Sequence, residues 1–248
     1  MLRIGLKILA LSLPSLFLAN GLAQAATEYT PVLGKTMTQA KQQDMTPKEA
    51  LQRLKDGNQR FLNNKMIIRD FIQQAKQSAY SQYPFAVVLN CMDSRSVPEL
   101  FFDQGLADLF TLRVAGNVLN TDILGSMEFA TKAAGAHLIV VLAHTSCGAV
   151  NGACNNVKFG HLTDVLDKIQ PSVQSAMHAL DTKDCKKPEL IDAITKENAL
   201  AVAREIQEKS PIIKQLIDSK QIGIIAGVHD LKTGEVHFFE EERSVPRP

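Results

Sequence analysis

Two short stretches of the chain concentrate side chains that can hold a metal ion and handle a proton. Cys91-Met92-Asp93-Ser94-Arg95 sets a thiol, a carboxyl and a guanidinium at alternate positions, and His144-Thr145-Ser146-Cys147-Gly148 sets an imidazole and a thiol three residues apart. Extended chain repeats its facing every two residues, so Cys91, Asp93 and Arg95 are expected on one side where a strand runs out. Two thiolates and one imidazole, Cys91, Cys147 and His144, suit zinc by softness and by its tetrahedral preference. Three protein ligands leave one position for water, as in catalytic rather than structural sites. Two thiolates also cancel the ion's charge, so water there is less acidic than on three neutral imidazoles. Asp93 is placed to accept the hydrogen bond of a zinc-bound hydroxide, and Arg95 to pin Asp93 through a bidentate pair that keeps it ionised. Each residue alone has an ordinary explanation: a buried cysteine, a surface ion pair, a capping histidine. The conjunction does not.

The elements around these stretches place them at strand ends. Apolar runs at 85–89, 108–114, 138–142 and 222–228 read as strands, the first and third buried, and 236–239 pairs back on the fourth as a hairpin. Between them lie helices opened at Thr46-Pro47, and over 98–102, 121–134, 148–156, 161–180 and 190–208, with another opened by Pro211. In the helix over 121–134, Ile123, Leu124, Met127, Phe129 and Ala130 are expected inward. The fold class is therefore α/β: a single domain with a mostly parallel central sheet flanked by helices, an amino-terminal helical arm and a carboxy-terminal antiparallel hairpin. Ligands in such sheets bind beyond the carboxyl ends of the strands, where Cys91 and His144 stand.

Composition narrows the remaining classes. Among 248 residues, 27 basic and 26 acidic side chains give a formal charge of +1, with no basic run to suggest nucleic acid. Arg3 and Lys7, the apolar run from Ile8 to Leu18, and Ala23-Gln24-Ala25 read as a signal peptide over residues 1–25. The expected product is periplasmic or secreted, without stable membrane association once cleaved. Residues 26–45 are expected as a mobile arm, and 46–248 as the catalytic domain. Four cysteines are too sparse for a disulfide scaffold, and no Cys-x-x-Cys pair suggests redox chemistry. With Cys91 and Cys147 given to the metal, Cys154 and Cys185 either pair or remain two free thiols. Cys154 follows Cys147 by two helical turns, and Cys185 lies in the polar loop 181–188.

The combination of Cys-x-Asp-x-Arg at 91–95 with His-x-x-Cys-Gly at 144–148 resembles the β-class carbonic anhydrases. The similarity extends to the helix 50–61, to Arg113-Val114-Ala115-Gly116-Asn117 and to the run 125–130. The resemblance implies Cys91, His144 and Cys147 as ligands of one zinc per chain and Asp93–Arg95 as the catalytic dyad. It implies Gln82 as a hydrogen-bonding partner of substrate, Phe110 as an aromatic wall, and Gly148 as a backbone donor to substrate oxygen. Phe129 stands where many members have a tyrosine, and Val88 where the bicarbonate-regulated subgroup has a tryptophan, so that allostery is not expected. The implied reaction is attack of zinc-bound hydroxide on carbon dioxide to give bicarbonate and a proton. In a closed state, Asp93 would leave Arg95 and become a fourth ligand. His161, His178, His229 and His237 are candidate proton carriers, none singled out. The family builds its sites between subunits, implying a homodimer or higher homo-oligomer. The rival readings are a hydrolase of carbon disulfide or carbonyl sulfide on the same scaffold, and a non-catalytic zinc-binding module.

Overall fold

Thr38 caps the first helix of the computed structural model, which describes residues 34–239. Helix α1 (Gln39–Gln43) lies within the segment 26–45 that the sequence suggested as an arm. Met37 and Gln42 are buried, and the Gln42 amide donates to the carbonyls of Pro84 (2.7 Å) and Ala134 (2.8 Å). A buried amide nitrogen with two carbonyl partners costs little to desolvate and ties α1 to two loops far away in sequence. Residues 26–33 and the signal-peptide reading of 1–25 lie outside the described residues.

Helix α2 (Pro47–Leu62) begins with a reciprocal cap between Thr46 and Glu49 and ends at Asn63, as its sequence suggests. It buries Ala50, Leu51, Leu54, Gly57 and Asn58. Helix α3 (Phe71–Ser78) was not legible: only Gln74 is buried, while Phe71 and Ile72 are exposed, so no apolar stripe marks it. Strand β1 (Ala86–Asn90), helix α4 (Pro98–Phe101), strand β2 (Leu109–Arg113) and a 3₁₀ turn at Ala115–Asn117 follow. Helix α5 (Thr121–Glu128) widens into a π turn over Phe129–Ala133. Phe129, expected inward, is instead 58% exposed: two residues past Met127 on a helix, it lies about 200° around the axis, on the opposite face.

Strand β3 (Leu138–His144) leads into helix α6 (Gly148–Cys154). The helix expected over 161–180 is two: α7 (Leu162–Asp167) and α8 (Gln170–Ala179). Pro171 explains the break, since its ring clashes with the carbonyl four residues back and it has no N–H to continue the ladder. Helices α9 (Pro188–Lys209) and α10 (Pro211–Asp218), strand β4 (Gly223–His229) and strand β5 (Val236–Phe238) complete the described chain.

The sheet order is β2-β1-β3-β4-β5, with the first four strands parallel and β5 antiparallel to β4. Alternation along β1 sends Val87 and Leu89 to the face covered by α9 and α10, and Ala86 and Val88 to the face covered by α2. Strands β1 and β3 are wholly buried. Strand β2 is only half-buried, because it forms an edge. From β1 the chain moves outward to β2 and then returns to the other side of β1 as β3. Their carboxyl ends thus flank a topological switch point, the place where open α/β sheets bind ligands.

Gly57 lets α2 approach α4: a Cβ there would lie 1.7 Å from the Phe102 carbonyl oxygen. Gly57→Ala is expected to destabilise the fold by about 3 kcal/mol, as overpacking against backbone does. Urea denaturation checks this, and an unchanged midpoint would contradict the packing described.

Candidate metal centre

Parallel pairing sets Asn90 beside Leu142, so Cys91, one residue beyond β1, comes level with the end of β3. His144 is the last residue of β3. The chain then reverses through Ser146 in the left-handed region (φ 55) and returns Cys147 as the residue capping α6. Such a backbone costs of order 1 kcal/mol for a non-glycine residue. The result is a buried cluster: one ligand atom from each of Cys91, His144 and Cys147, all within 4.8 Å of one another.

The state of each donor is fixed by its neighbours. His144 Nδ1 faces the Thr145 carbonyl oxygen at 2.8 Å, an acceptor only, so Nδ1 carries the proton and Nε2 presents its lone pair. That Nε2 is buried with no hydrogen-bond partner, a costly position for a polar atom unless an ion occupies its lone pair. Burial resists a charge on His144, but the Cys91 thiolate, the Thr145 carbonyl and Asp93 outweigh it and raise its pKa. Cys91 is held low, to about 4, foremost by a hydrogen bond from the Cys147 thiol, with His144 and the amides of Asp93 and Gly116 adding to it against burial. The same pairing, then burial, pushes Cys147 up. The pairing thus favours a thiolate on Cys91 over one on Cys147, at a place where one cation with two thiolate ligands fits. Ligands at about 2.0–2.3 Å from one tetrahedral ion lie about 3.3–3.8 Å apart, within the spread seen here.

Asp93 and Arg95 come together, though not by strand alternation. The chain turns at Ser94-Arg95, and Asp93 Oδ1 accepts from the Arg95 backbone N–H (3.0 Å), as Asp does in tight turns. The Arg95 guanidinium adds two bonds, 2.9 Å to Oδ1 and 2.8 Å to Oδ2. Arg95 holds the Asp93 carboxyl well below the usual carboxylate range. Asp93 Oδ2 lies 3.9 Å from His144 Nε2, beside the cluster but bonded to Arg95. This is the open arrangement of the dyad.

The other expected site residues divide. Gly148 follows Cys147 directly, and a Cβ on it would meet nothing within 4 Å, so its surface gives onto open space. Phe110 and Phe129 pack edge to face, centroids 6.2 Å apart. Phe110 pairs with Val87, four residues before Cys91, or about 13 Å along the strand. Gln82 is exposed before the amino end of β1, the end away from Cys91. Within one chain, then, Gln82, Phe110 and Phe129 are not brought to the cluster. Val88 is fully buried on the face covered by α2. Of the histidines, His161, His178 and His237 are exposed, whereas His229 is buried, stacked on Phe101 at 4.0 Å, with Nδ1 facing Ser96 Oγ at 3.1 Å. Burial foremost, then the positive charge a protonated His144 would carry, pushes His229 down to about 4.

Several supporting residues escaped sequence reasoning. Arg113 donates to the carbonyls of Cys91 (3.1 Å) and Asp93 (2.6 Å), strapping the loop that carries both. The Asn90 amide donates to Ser96 O (2.9 Å) and Ser96 Oγ (3.0 Å), closing the same loop against the strand. The Gly116 amide donates to Cys91 Sγ. Cys154 and Cys185 form a disulfide, resolving the alternative left open by the sequence in favour of the pair.

With this geometry, known proteins can be compared. A family profile described as carbonic anhydrase matches residues 86–236, which includes every cluster and dyad residue. The chain belongs to the β-class carbonic anhydrase family. Carbonic anhydrase 2 of Mycobacterium tuberculosis is 40% identical over 139 residues, covering 51% of this chain and 64% of that protein's length. A carbonic anhydrase of Mycolicibacterium smegmatis is 32% identical over 198 residues, covering 77% of this chain and 93% of its own. A solved tetrameric β-carbonic anhydrase of Sordaria macrospora shares the fold with a TM-score of 0.60 at 22% identity, over 68% of this chain and 90% of its own. The matched span includes Cys91, His144 and Cys147, the buried set whose donor atoms could hold a metal ion.

Alkylation of the native, non-reduced protein is expected to recover Cys154 and Cys185 as one disulfide-linked peptide, and to label Cys91 and Cys147 only after treatment with a chelator. Mass spectrometry reads both. Ready labelling of Cys154 or Cys185 without reductant would contradict the pairing.

Proposed function

We propose that the protein is a zinc enzyme that reversibly hydrates carbon dioxide to bicarbonate and a proton. One observation carries the reading: three buried donors converge beside a carboxylate that is bonded to arginine rather than spent on the cluster. Two thiolates and an imidazole match zinc, and three protein ligands match a site open at its fourth position. Zinc bound there would act as a Lewis acid that lowers the pKa of water, as it does in carbonic anhydrases that hold the ion by three histidines instead.

The chain's own residues do the rest. Arg95 keeps Asp93 ionised and turned toward the cluster, so Oδ2 serves as an oriented acceptor for a donor hydrogen there. Gly148 leaves space beside Cys147 where a substrate oxygen can meet backbone. A binding module needs ligands but no such acceptor, which favours turnover over storage.

The same reading extends to assembly and to location. Gln82 precedes the amino end of β1, which is itself about 17 Å along the strand from Cys91, and it cannot serve its own cluster, so we take the site to be completed by a second copy. The half-buried edge strand β2 supports this, as does a groove of ≈ 560 Å³ beside it, lined by Ile68, Phe71, Leu100 and Leu106. Export is supported by the Cys154–Cys185 disulfide, a bond that persists in oxidising compartments.

Zinc analysis and stopped-flow hydration on the same samples test the function. About one zinc per chain is expected, with most of it lost in Cys91→Ser, His144→Ala and Cys147→Ser. Asp93→Asn should keep its zinc and lose about 100-fold or more in hydration rate. Zinc-loaded wild type without activity would favour a binding module, and turnover of carbon disulfide in place of carbon dioxide would favour the rival hydrolase. A mature protein beginning near Ala26 and sedimenting as a dimer or larger is expected; an uncleaved monomer would overturn both extensions.

A further inference from the structure

The Cys91 sulfur receives a hydrogen bond that the ligand set does not explain. The Gly116 N–H donates to Sγ at 3.3 Å, inside the buried cluster. Gly116 sits in the left-handed region (φ 65, ψ 18), between α6 and the start of α8. A Cβ there would lie 2.7 Å from Ile169 Cδ1 and 3.1 Å from Ala149 Cβ. Glycine is therefore required twice, by backbone and by space. Glycine is also the residue least able to hold its own conformation, since both signs of φ are open to it. Something else must keep its amide turned onto the sulfur.

That restraint comes from α9. The Asn198 side chain, 1% exposed, donates to the Gly116 carbonyl oxygen at 2.9 Å, across 82 residues of sequence. The donated bond fixes the peptide plane after the Gly116 Cα, while the bond to sulfur engages the plane before it. Packing from Ile169 and Ala149 closes the remaining side. We infer that Asn198 is a positioning residue for the metal site: acting through Gly116, it fixes the amide that bonds the Cys91 thiolate and so limits the charge that sulfur gives to the metal. Two thiolates make an electron-rich site, and an N–H bond to one of them withdraws density and favours the acidity that hydration needs. The inference rests on the zinc reading above.

The test uses full-length protein loaded with cobalt or zinc. Asn198→Asp is near-isosteric but removes the donor; Asn198→Ala removes the side chain. Both are expected to move the sulfur-to-cobalt charge-transfer band to longer wavelength, because the unrestrained thiolate is richer in electrons. Both should also speed zinc release to a chelator by about tenfold or more. An unmoved band overturns the inference even if release or melting temperature changes, since loss of packing alone accounts for those. Should the variants fail to fold, cadmium-113 in the nitrogen-15-labelled wild type decides. Scalar coupling of cadmium to the Gly116 amide proton, with a slowly exchanging Asn198 side-chain proton, supports the relay. An uncoupled Gly116 or a freely exchanging Asn198 overturns it. A wild type that binds none of these metals would instead remove the zinc reading, and the inference with it.

Discussion

Everything in this molecule answers to one demand: two sulfurs and an imidazole nitrogen must stand within 4.8 Å of each other, out of water, on chain segments more than fifty residues apart. Burying donors that must give up protons is costly unless an ion and directed hydrogen bonds compensate. The pairing of β1 with β3 solves the distance problem, because a parallel ladder fixes which residue ends beside which. The left-handed turn at Ser146 solves the third ligand, returning the chain after His144 to set Cys147 against it. The switch in strand order between β1 and β3 is where this happens.

A second layer determines what the cluster can do. Arg113 and Asn90 hold the loop 91–96 by its backbone, so the Asp93 side chain remains available to Arg95. Ser96 joins that loop to His229 on β4, and His229 stacks on Phe101 of α4. The dyad therefore rests on strands, a helix and an arginine strap together. Its guanidinium is the exposed member, at 59%, while its carboxylate faces inward at 16%. The acceptor is thereby held on the protein side, with its partner toward solvent.

The sequence made the chemistry more legible than the architecture that supports it. Cys91, Asp93, Arg95, His144 and Cys147 announce themselves because few other roles need those types at those spacings. The strands were legible because β1 and β3 are uninterrupted apolar runs. Helix α3 was not, since it buries one glutamine and exposes its large apolar residues. The division of α7 from α8 was signalled by Pro171, which was there to be read. Asn198 could not be found from local pattern at all, and Arg113, though part of a family-like run, could not be given its role: their partners are carbonyl oxygens elsewhere in the fold, and a carbonyl carries no sequence signature. Gln82, Phe110 and Phe129 stand away from the cluster within one chain, a separation that motif spacing does not carry.

The disulfide sets a problem of timing for the nascent protein. Helix α6 has Cys147 at its head and Cys154 at its tail, and both belong to one apolar cluster with Cys91. Whatever oxidises Cys154 and Cys185 meets, in the same unfinished chain, another pair of sulfurs less than 5 Å apart in the finished one. Joined to each other, Cys91 and Cys147 would form a dead-end product with no place for an ion. If the protein matures where disulfides form, metal and oxidant would compete for the same two thiols, and the order in which they arrive would decide between a filled site and a closed one.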